Sequence, residues 1–133
     1  MNDSIILMSK LDYQRINSFI EKMKPIESDQ LEVELDRAQL VEAEEMPADV
    51  VTMNSEVRYL DLEALEEFTV KLVYTLRVDI QVTQVSILSP LGTALIGLKK
   101  GEDYSFKTRN GKLKRIRILD ILFQPEAEER FDL

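Results

Sequence analysis

Residues 68–75, FTVKLVYT, decide the fold because apolar and polar side chains alternate along them. Phe68, Val70, Leu72 and Tyr74 fall on one face of an extended chain, opposite polar neighbours. This period of two is typical of a strand with one buried face. The same alternation continues to Val82, so the pattern predicts an unusually long strand or a hairpin at 68–82.

Further strands are predicted on both sides of this stretch, around Val57 and Tyr59 and at 85–88, 104–108 and 113–123. Asn110-Gly111 predicts a type I′ hairpin between the last two. The phase slips inside 113–123, which predicts either a bulge or a central strand buried on both faces. Pro125 onward is expected to be a loose acidic tail.

One short helix is predicted within this β-rich region. Ser89 is a favoured N-cap residue and Pro90 suits the first helical position. Leu91, Ala94, Leu95 and Leu98 form its apolar face. The sequence thus predicts an α+β fold with a mostly antiparallel sheet and one packed helix.

The N-terminal third predicts two helices at about residues 10–43. Ser9 and Asp12 form a capping-box pattern, and an apolar stripe follows at Ile16, Phe19, Ile20 and Met23. Pro25 ends the first helix, and Ser28 or Asp29 caps a second one running to about Ala43. The short break favours an antiparallel hairpin, with each helix about 22 Å long. We expect a hairpin at 1–46, a linker at 47–54 and a β-rich domain at 55–133.

Composition restricts the chemistry that the chain can perform. There is no cysteine and no histidine, which removes disulfides, thiolate metal sites and the commonest general base. No glycine-rich phosphate-binding motif is present. An enzyme and a bound cofactor or metal are therefore not expected. No apolar run approaches the roughly 18 residues of a membrane span, so we expect a cytoplasmic protein without a membrane partner.

Negative charge is concentrated at the front of the chain. Residues 1–53 carry 12 acidic and 5 basic side chains, whereas 54–133 carry 13 acidic and 12 basic. An acidic front half disfavours direct nucleic-acid binding and fits a basic protein partner, although solubility alone also explains it. Six basic residues without an acid between them (Lys107, Arg109, Lys112, Lys114, Arg115 and Arg117) suggest contact with an acidic surface or RNA, or simply a solvated edge hairpin.

Five stretches together resemble one family. They are EVELDRAQ at 32–39, MPADVVTMNS at 46–55, LVY at 72–74, SPLGTALIGL at 89–98 and FQPEA at 123–127. The chain resembles the bacterial Gre transcript-cleavage-factor family over nearly its whole length. Within that family it most resembles the regulators of nucleoside diphosphate kinase. The resemblance implies an N-terminal antiparallel coiled coil and a C-terminal FKBP-like domain.

The resemblance also implies a function. In Gre factors the C-terminal domain binds the rim of the RNA polymerase secondary channel, and the coiled coil presents acids that promote RNA cleavage. Here the predicted hairpin is much shorter, so we expect a monomer that binds polymerase, competes with Gre factors and does not stimulate cleavage. Glu27 and Asp29 lie at its tip, where helix capping alone also explains acids.

The resemblance places the polymerase-facing turn at Ser89, Pro90, Leu91 and Gly92, and with Glu27 and Asp29 these are the expected partner-binding residues. For the turn, a good helix cap without a binding role is the alternative explanation. Two alternatives stay open. One is regulation of nucleoside diphosphate kinase or nucleotide pools through protein contact. The other is a peptidyl-prolyl isomerase, which would need a deep aromatic pocket.

Overall fold

A five-stranded sheet organises the molecule, with its strands in the spatial order 84–86, 66–73, 56–61, 113–123 and 103–107. The computed structural model describes residues 6–24, 28–74, 84–108 and 110–130. The sheet strands are β3 (Glu56–Asp61), β4 (Glu66–Val73), β5 (Gln84–Ser86), β6 (Asp103–Lys107) and β7 (Leu113–Phe123). Only the β4–β5 pair is parallel; the other three pairs are antiparallel. The α+β class and the mostly antiparallel sheet are therefore confirmed.

β4 confirms the alternation that predicted it, since Val70 and Leu72 are buried in the core. The strand ends at Val73, and residues 75–83 lie outside the described part of the chain. The longer strand or hairpin predicted through Val82 is therefore a prediction that falls largely on undescribed residues.

Bulges explain the phase slip in β7. Its register with β3 shifts between Glu56 and Val57 and again between Arg58 and Tyr59. Leu119 and Leu122 are the residues passed over in the pairing, and Leu122 is 47% exposed. The bulge alternative is confirmed, because extra residues in β7 let Ile116, Ile118 and Ile121 keep facing the core cluster.

The turn between β6 and β7 differs from the prediction. Thr108 donates its backbone N–H to the carbonyl of Lys112 at 2.9 Å, so three residues separate the pair. Gly111 takes a positive φ of 82° and donates to the Thr108 carbonyl at 2.9 Å. The type I′ prediction was wrong, because a three-residue loop uses its glycine at the end in the left-handed region.

The two N-terminal helices are α1 (Lys10–Met23) and α2 (Asp29–Asp36). Ser9 caps α1 as predicted, since its hydroxyl accepts a hydrogen bond from the Asp12 N–H at 3.0 Å. Ser28 is the N-cap residue of α2, but its side chain makes no capping bond. Pro25 and Glu27 lie outside the described residues.

The predicted extension of α2 to Ala43 was wrong. Residues Ala38–Val41 form strand β2, which pairs in parallel with β1 (Ile6–Ser9). The backbone N–H and C=O groups of β1 find hydrogen-bond partners in β2. This pairing stabilises the strand more than the helical periodicity of residues 31–38 favours a longer helix. A two-stranded sheet therefore joins the base of the helical pair, which the sequence did not predict.

The helical pair is packed onto the five-stranded sheet. α2 packs against the short helix α3 (Pro90–Leu95), and Leu31 and Leu35 are 1% and 4% exposed. Ile16 and Ile20 of α1 belong to the same buried cluster as the sheet residues. One core thus spans both regions, and coiled-coil packing of α1 against α2 is not confirmed. The division at residues 47–54 stays a prediction.

The segment after β7 is tied down rather than loose. Gln124 is 3% exposed, and its side-chain amide donates to the carbonyls of Pro47 and Val50 at 2.7 and 2.8 Å. The Arg130 N–H donates to the Pro125 carbonyl at 2.7 Å. The loose-tail prediction was therefore wrong for 125–130, because these bonds close a compact turn against the 47–50 segment.

Candidate docking surface

The N-terminal turn of α3 is fixed by two bonds of one hydroxyl. Ser89 Oγ accepts from the Gly92 N–H at 3.0 Å and donates to the Ser86 carbonyl at 2.7 Å. Pro90 fills the first helical position, where no N–H is needed. The cap predicted from the sequence is confirmed, and it holds Pro90 and Leu91 in a defined position.

Gly92 is buried beneath this turn. A Cβ atom built on it would overlap the carbonyl of Ser86. A side chain would therefore push α3 away from β5. Gly92 positions the turn but lines neither of the grooves described below. Of the four residues of this turn, Ser89, Pro90 and Leu91 line a groove.

A groove of about 660 Å³ lies on one side of the turn. Its apolar part is supplied by Pro90, Leu91, Tyr59, Phe106 and Ile116. The ring of Tyr59 is stacked on Phe68, with centroids 5.4 Å apart. The polar rim comes from β3, from the N-cap of α3 and from the β6–β7 hairpin, namely Asp61, Ser89, Thr108, Asn110, Lys112 and Lys114.

A second groove, of about 390 Å³, lies on the other side of Pro90. Its walls come from the start of α2 (Ser28, Asp29, Gln30 and Leu31), from Leu88, Pro90 and Thr93, and from Lys107 and Thr108. The structure thus brings together two of the sequence-predicted site residues, Asp29 and Pro90. Glu27 lies outside the described residues.

Hydrogen bonds hold α2 beside the turn. Tyr104 in β6 donates its hydroxyl to Glu34 Oε1 at 3.1 Å, and Glu34 is 4% exposed. Arg37 pairs with the same carboxylate at 3.3 Å. Burial, followed by the Glu34 charge, raises the pKa of Tyr104 to about 12, so its hydroxyl remains a donor. This contact fixes α2, and with it Asp29, on the sheet domain.

The basic residues of the β6–β7 hairpin divide into two groups. Lys114 pairs with Asp61 at 3.0 Å, and Arg117 pairs with Asp103 at 2.7 Å. The Ala64 N–H and Lys114 hold the pKa of Asp61 below its ordinary value, and Arg117 does the same for Asp103. Lys107 and Lys112 line the grooves, and Lys114 also lines the larger one. Arg109 lies outside the described residues.

A buried polar network lies behind the start of the sheet. Thr52 donates its hydroxyl to Glu126 Oε1 at 2.8 Å, and its N–H donates to Ser55 Oγ at 2.9 Å. Asp12, 2% exposed, accepts from the Met53 N–H at 3.1 Å. Burial raises the pKa of Asp12 to about 7, although the Met53 bond opposes the shift. This network joins α1 to the 46–55 and 123–127 stretches, both singled out in the sequence.

Comparison with known proteins places this surface in context. The family model of the C-terminal part of the transcription elongation factors GreA/GreB matches residues 46–123, more than half of the chain. The match contains the complete sheet and the Ser89–Leu91 turn. The chain belongs to the GreA/GreB transcription elongation factor family.

Relatives in this family extend the likeness to the N-terminal helices. The chain is 38% identical over 131 residues to the regulator of nucleoside diphosphate kinase of Escherichia coli, covering 96% of both chains. It is 36% identical over 92 residues to transcription elongation factor GreA of Acetivibrio thermocellus, covering 69% of this chain and 57% of that factor.

A solved structure supports the same assignment. It is described as prokaryotic transcription elongation factor GreA/GreB from Nitrosomonas europaea and is 39% identical to this chain. The two structures superpose with a TM-score of 0.72 over 91% of this chain and 100% of the other. The fold of a GreA/GreB relative is therefore shared by the α-helical and β-sheet parts together.

Two other kinds of site are absent from the described ranges. No group of three or more acidic side chains is arranged there to hold a metal ion. Among the same residues, no helix is both long and apolar enough to cross a membrane. The grooves beside Pro90 are the surfaces on which the sequence-predicted residues meet.

Sequence reasoning missed several groove residues. The sequence pattern predicts only strand positions for Tyr59 and Phe106. It places Lys107 and Lys112 in a basic run that contacts an acidic surface or RNA, or simply faces solvent, without connecting that run to the Ser89–Leu91 turn. Their convergence depends on pairing between distant strands, which places β3 and β6 on either side of β7. The usable signal was the lack of acids in the 107–117 segment, which kept the groove rim basic.

Proposed function

We propose that this protein is a non-catalytic transcription regulator that binds RNA polymerase near the secondary channel and competes with Gre cleavage factors. The docking surface is formed by Ser89, Pro90 and Leu91 with the two adjoining grooves. Membership of the GreA/GreB family supports the choice of polymerase as the partner.

The chemistry of the grooves supports a protein partner. The larger groove combines a broad apolar floor with Lys112 and Lys114 at its rim. An apolar centre bordered by charge is the usual composition of a protein-binding patch. The matching surface would carry apolar side chains flanked by carboxylates. Such a partner would gain affinity from the apolar centre and orientation from the basic rim.

The position of Asp29 carries the proposal that cleavage is not stimulated. Asp29 lines the same groove as Pro90, so the tip of α2 lies at the docking surface itself. α1 has 14 residues and α2 has 8, or about 21 and 12 Å of helix. An acid held beside the docking turn does not extend away from it toward a distant catalytic centre.

Binding to core RNA polymerase tests the docking surface. Leu91→Glu places a charge on the apolar floor and should weaken binding about tenfold or more. Leu122→Glu is the matched control, because Leu122 is 47% exposed and lies in β7 near the opposite end of β3 from Asp61. Absence of wild-type binding at micromolar protein, or equal loss in both variants, would contradict the proposal.

A cleavage assay tests the second half of the proposal. Backtracked polymerase complexes mixed with this protein should release no more RNA fragments than complexes alone. Addition of a Gre cleavage factor should restore cleavage, and prior saturation with this protein should slow it. Faster cleavage with this protein alone would overturn the non-catalytic assignment.

A second candidate function rests on the relative from Escherichia coli, whose name describes regulation of nucleoside diphosphate kinase. Direct contact with the kinase would change the phosphate-transfer rate when the purified proteins are mixed. An unchanged rate at saturating protein would leave polymerase binding as the function to pursue.

A further inference from the structure

A third cavity, separate from the docking turn, lies between α1 and residues just before β3 and just after β4. It has a volume of about 560 Å³, within the range of small-molecule sites. It shares no described lining residue with either groove. Its lining residues are Gln14, Arg15, Ser18, Phe19 and Lys22 of α1, with Asn54 and Tyr74 opposite.

The polar side chains of this cavity can all donate hydrogen bonds. They comprise a guanidinium, an ammonium, two amides and the Ser18 hydroxyl, and no carboxylate is among the described lining residues. That composition is unusual in a chain of net charge −8, with most of the excess in its first 53 residues. The cavity is therefore suited to an anion with several acceptor oxygens.

Helical spacing places the two cations along one wall. Arg15 and Lys22 are seven residues apart, so they lie on the same side of α1, about 10 Å apart along its axis. Ser18 lies between them on the same wall. Two long cationic side chains at this spacing can reach a short chain of phosphates from both ends.

Tyr74 lines the cavity with its ring. Its hydroxyl oxygen is fully buried, so a ligand in the cavity does not reach it. Burial, with smaller contributions from Asp12 and Glu126, raises the pKa of Tyr74, whereas Arg15 opposes the shift. The cavity therefore meets Tyr74 through an apolar surface.

The same wall offers an aromatic surface. Phe19 and Tyr74 meet edge to face, with ring centroids 5.6 Å apart and an interplanar angle of 71°. Both rings are half-buried and line the cavity. A planar base can stack on such a ring, and Asn54 and Gln14 can hydrogen-bond to its edge.

We propose that this cavity binds a nucleoside phosphate, with the phosphates between Arg15 and Lys22 and the base against Phe19 and Tyr74. The site is separate from the docking surface, so it adds a small-molecule ligand to a protein-binding regulator. Its existence does not depend on polymerase binding.

Calorimetric titration of the full chain with GDP and ADP tests the proposal, with guanosine and inorganic phosphate as partial ligands. We expect a dissociation constant below about 1 mM for the diphosphates and about tenfold weaker binding of each partial ligand. No binding at about 1 mM would overturn the proposal. Phosphate binding as tightly as GDP would also overturn it, because the site would then recognise an anion alone.

Two variants locate the site. Lys22→Gln should weaken GDP binding about tenfold. Lys24→Gln should leave it unchanged, since Lys24 pairs with Glu21 at 3.5 Å and does not line the cavity. Equal binding by wild type and Lys22→Gln would place the ligand elsewhere and contradict the proposal.

Discussion

Asp12 in α1 accepts a hydrogen bond from the backbone N–H of Met53 at 3.1 Å, which ties the first helix to the segment before the sheet. The carboxyl is 2% exposed, and burial raises its pKa to about 7. The negative charge of Glu126 adds to that shift, whereas Arg15 opposes it. Attachment of α1 to the sheet domain is therefore sensitive to one proton near neutral pH.

The first prediction concerns stability against pH. The pKa of Asp12 is about 7 in the folded chain, against 3.8 for an ordinary Asp. The folded state binds this proton more tightly than the unfolded state does. The stability that protonated Asp12 contributes is therefore complete below about pH 4 and is lost as pH rises through 7. Asp12→Asn should raise the free energy of unfolding at pH 8 by about 2 kcal/mol or more. Urea unfolding at pH 5 and pH 8 measures both effects.

Asp49→Asn is the matched control for that measurement, because Asp49 is exposed. It should leave the wild-type fall in stability between pH 5 and pH 8 unchanged. The lowered pKa values of Asp61 and Asp103 act at more acidic pH and do not overlap this window. An equal pH dependence in Asp12→Asn and wild type would show that Asp12 is not the responsible group.

The second prediction concerns the helix under the docking turn. Alanine normally stabilises a helix by about 1 kcal/mol relative to glycine. At Gly92 the added Cβ would overlap the Ser86 carbonyl, so Gly92→Ala should instead lower the free energy of unfolding by about 2 kcal/mol or more. Thermal unfolding measures the difference.

Gly101→Ala separates backbone strain from overlap. A Cβ at Gly101 meets no atom within 4 Å, but its φ is +87°. Gly101→Ala should therefore lower the free energy of unfolding by only about 1 kcal/mol, because the left-handed conformation alone is strained. Stabilisation by Gly92→Ala, or a smaller cost than at Gly101, would contradict the tight contact between α3 and β5.

The third prediction concerns the cap at Ser89. Ser89→Ala removes the acceptor for Gly92 and the donor to Ser86, and it should cost about 1 kcal/mol of stability. Ser89→Thr keeps the hydroxyl oxygen and should retain most of that stability. Because the cap positions Pro90 and Leu91, polymerase binding should weaken in the alanine variant and recover in the threonine variant. Unchanged polymerase binding by Ser89→Ala would show that the cap does not contribute to docking.

Local sequence patterns predicted the sheet well because its strands bury one face. Val57, Tyr59, Val70 and Leu72 were correctly read from their alternation, and Ser89 from its capping position. The docking turn could be predicted for the same reason: its geometry is set by neighbouring residues. The residues across the groove from Pro90 could not be predicted, because their positions depend on pairing between strands that are distant in the sequence.

The N-terminal region shows where pattern reasoning failed. Residues 38–41 carry a continuation of the helical pattern, yet they pair with Ile6–Ser9, about 30 residues earlier in the chain. The apolar run of 5–8 was the available signal for a strand partner. The position of Asp29 beside Pro90 is a consequence of the packing of α2 on α3, which no local pattern specifies.

The fourth prediction concerns the contact that holds α2 on the sheet. Tyr104→Phe removes the hydroxyl that donates to Glu34 at 3.1 Å and leaves a buried carboxylate with Arg37 as its recorded partner. The free energy of unfolding should fall by about 1–2 kcal/mol, and amides of α2 should exchange with solvent faster than those of β3. Glu34→Gln should lower the free energy of unfolding by less in the Tyr104→Phe background than in the wild type, because the effects of contacting residues are not additive.

Tyr13→Phe is the control, since no hydrogen bond of the Tyr13 hydroxyl is found among the described residues. Additive costs, or unchanged exchange in α2, would mean that apolar packing of Leu31 and Leu35 alone keeps Asp29 beside the docking turn.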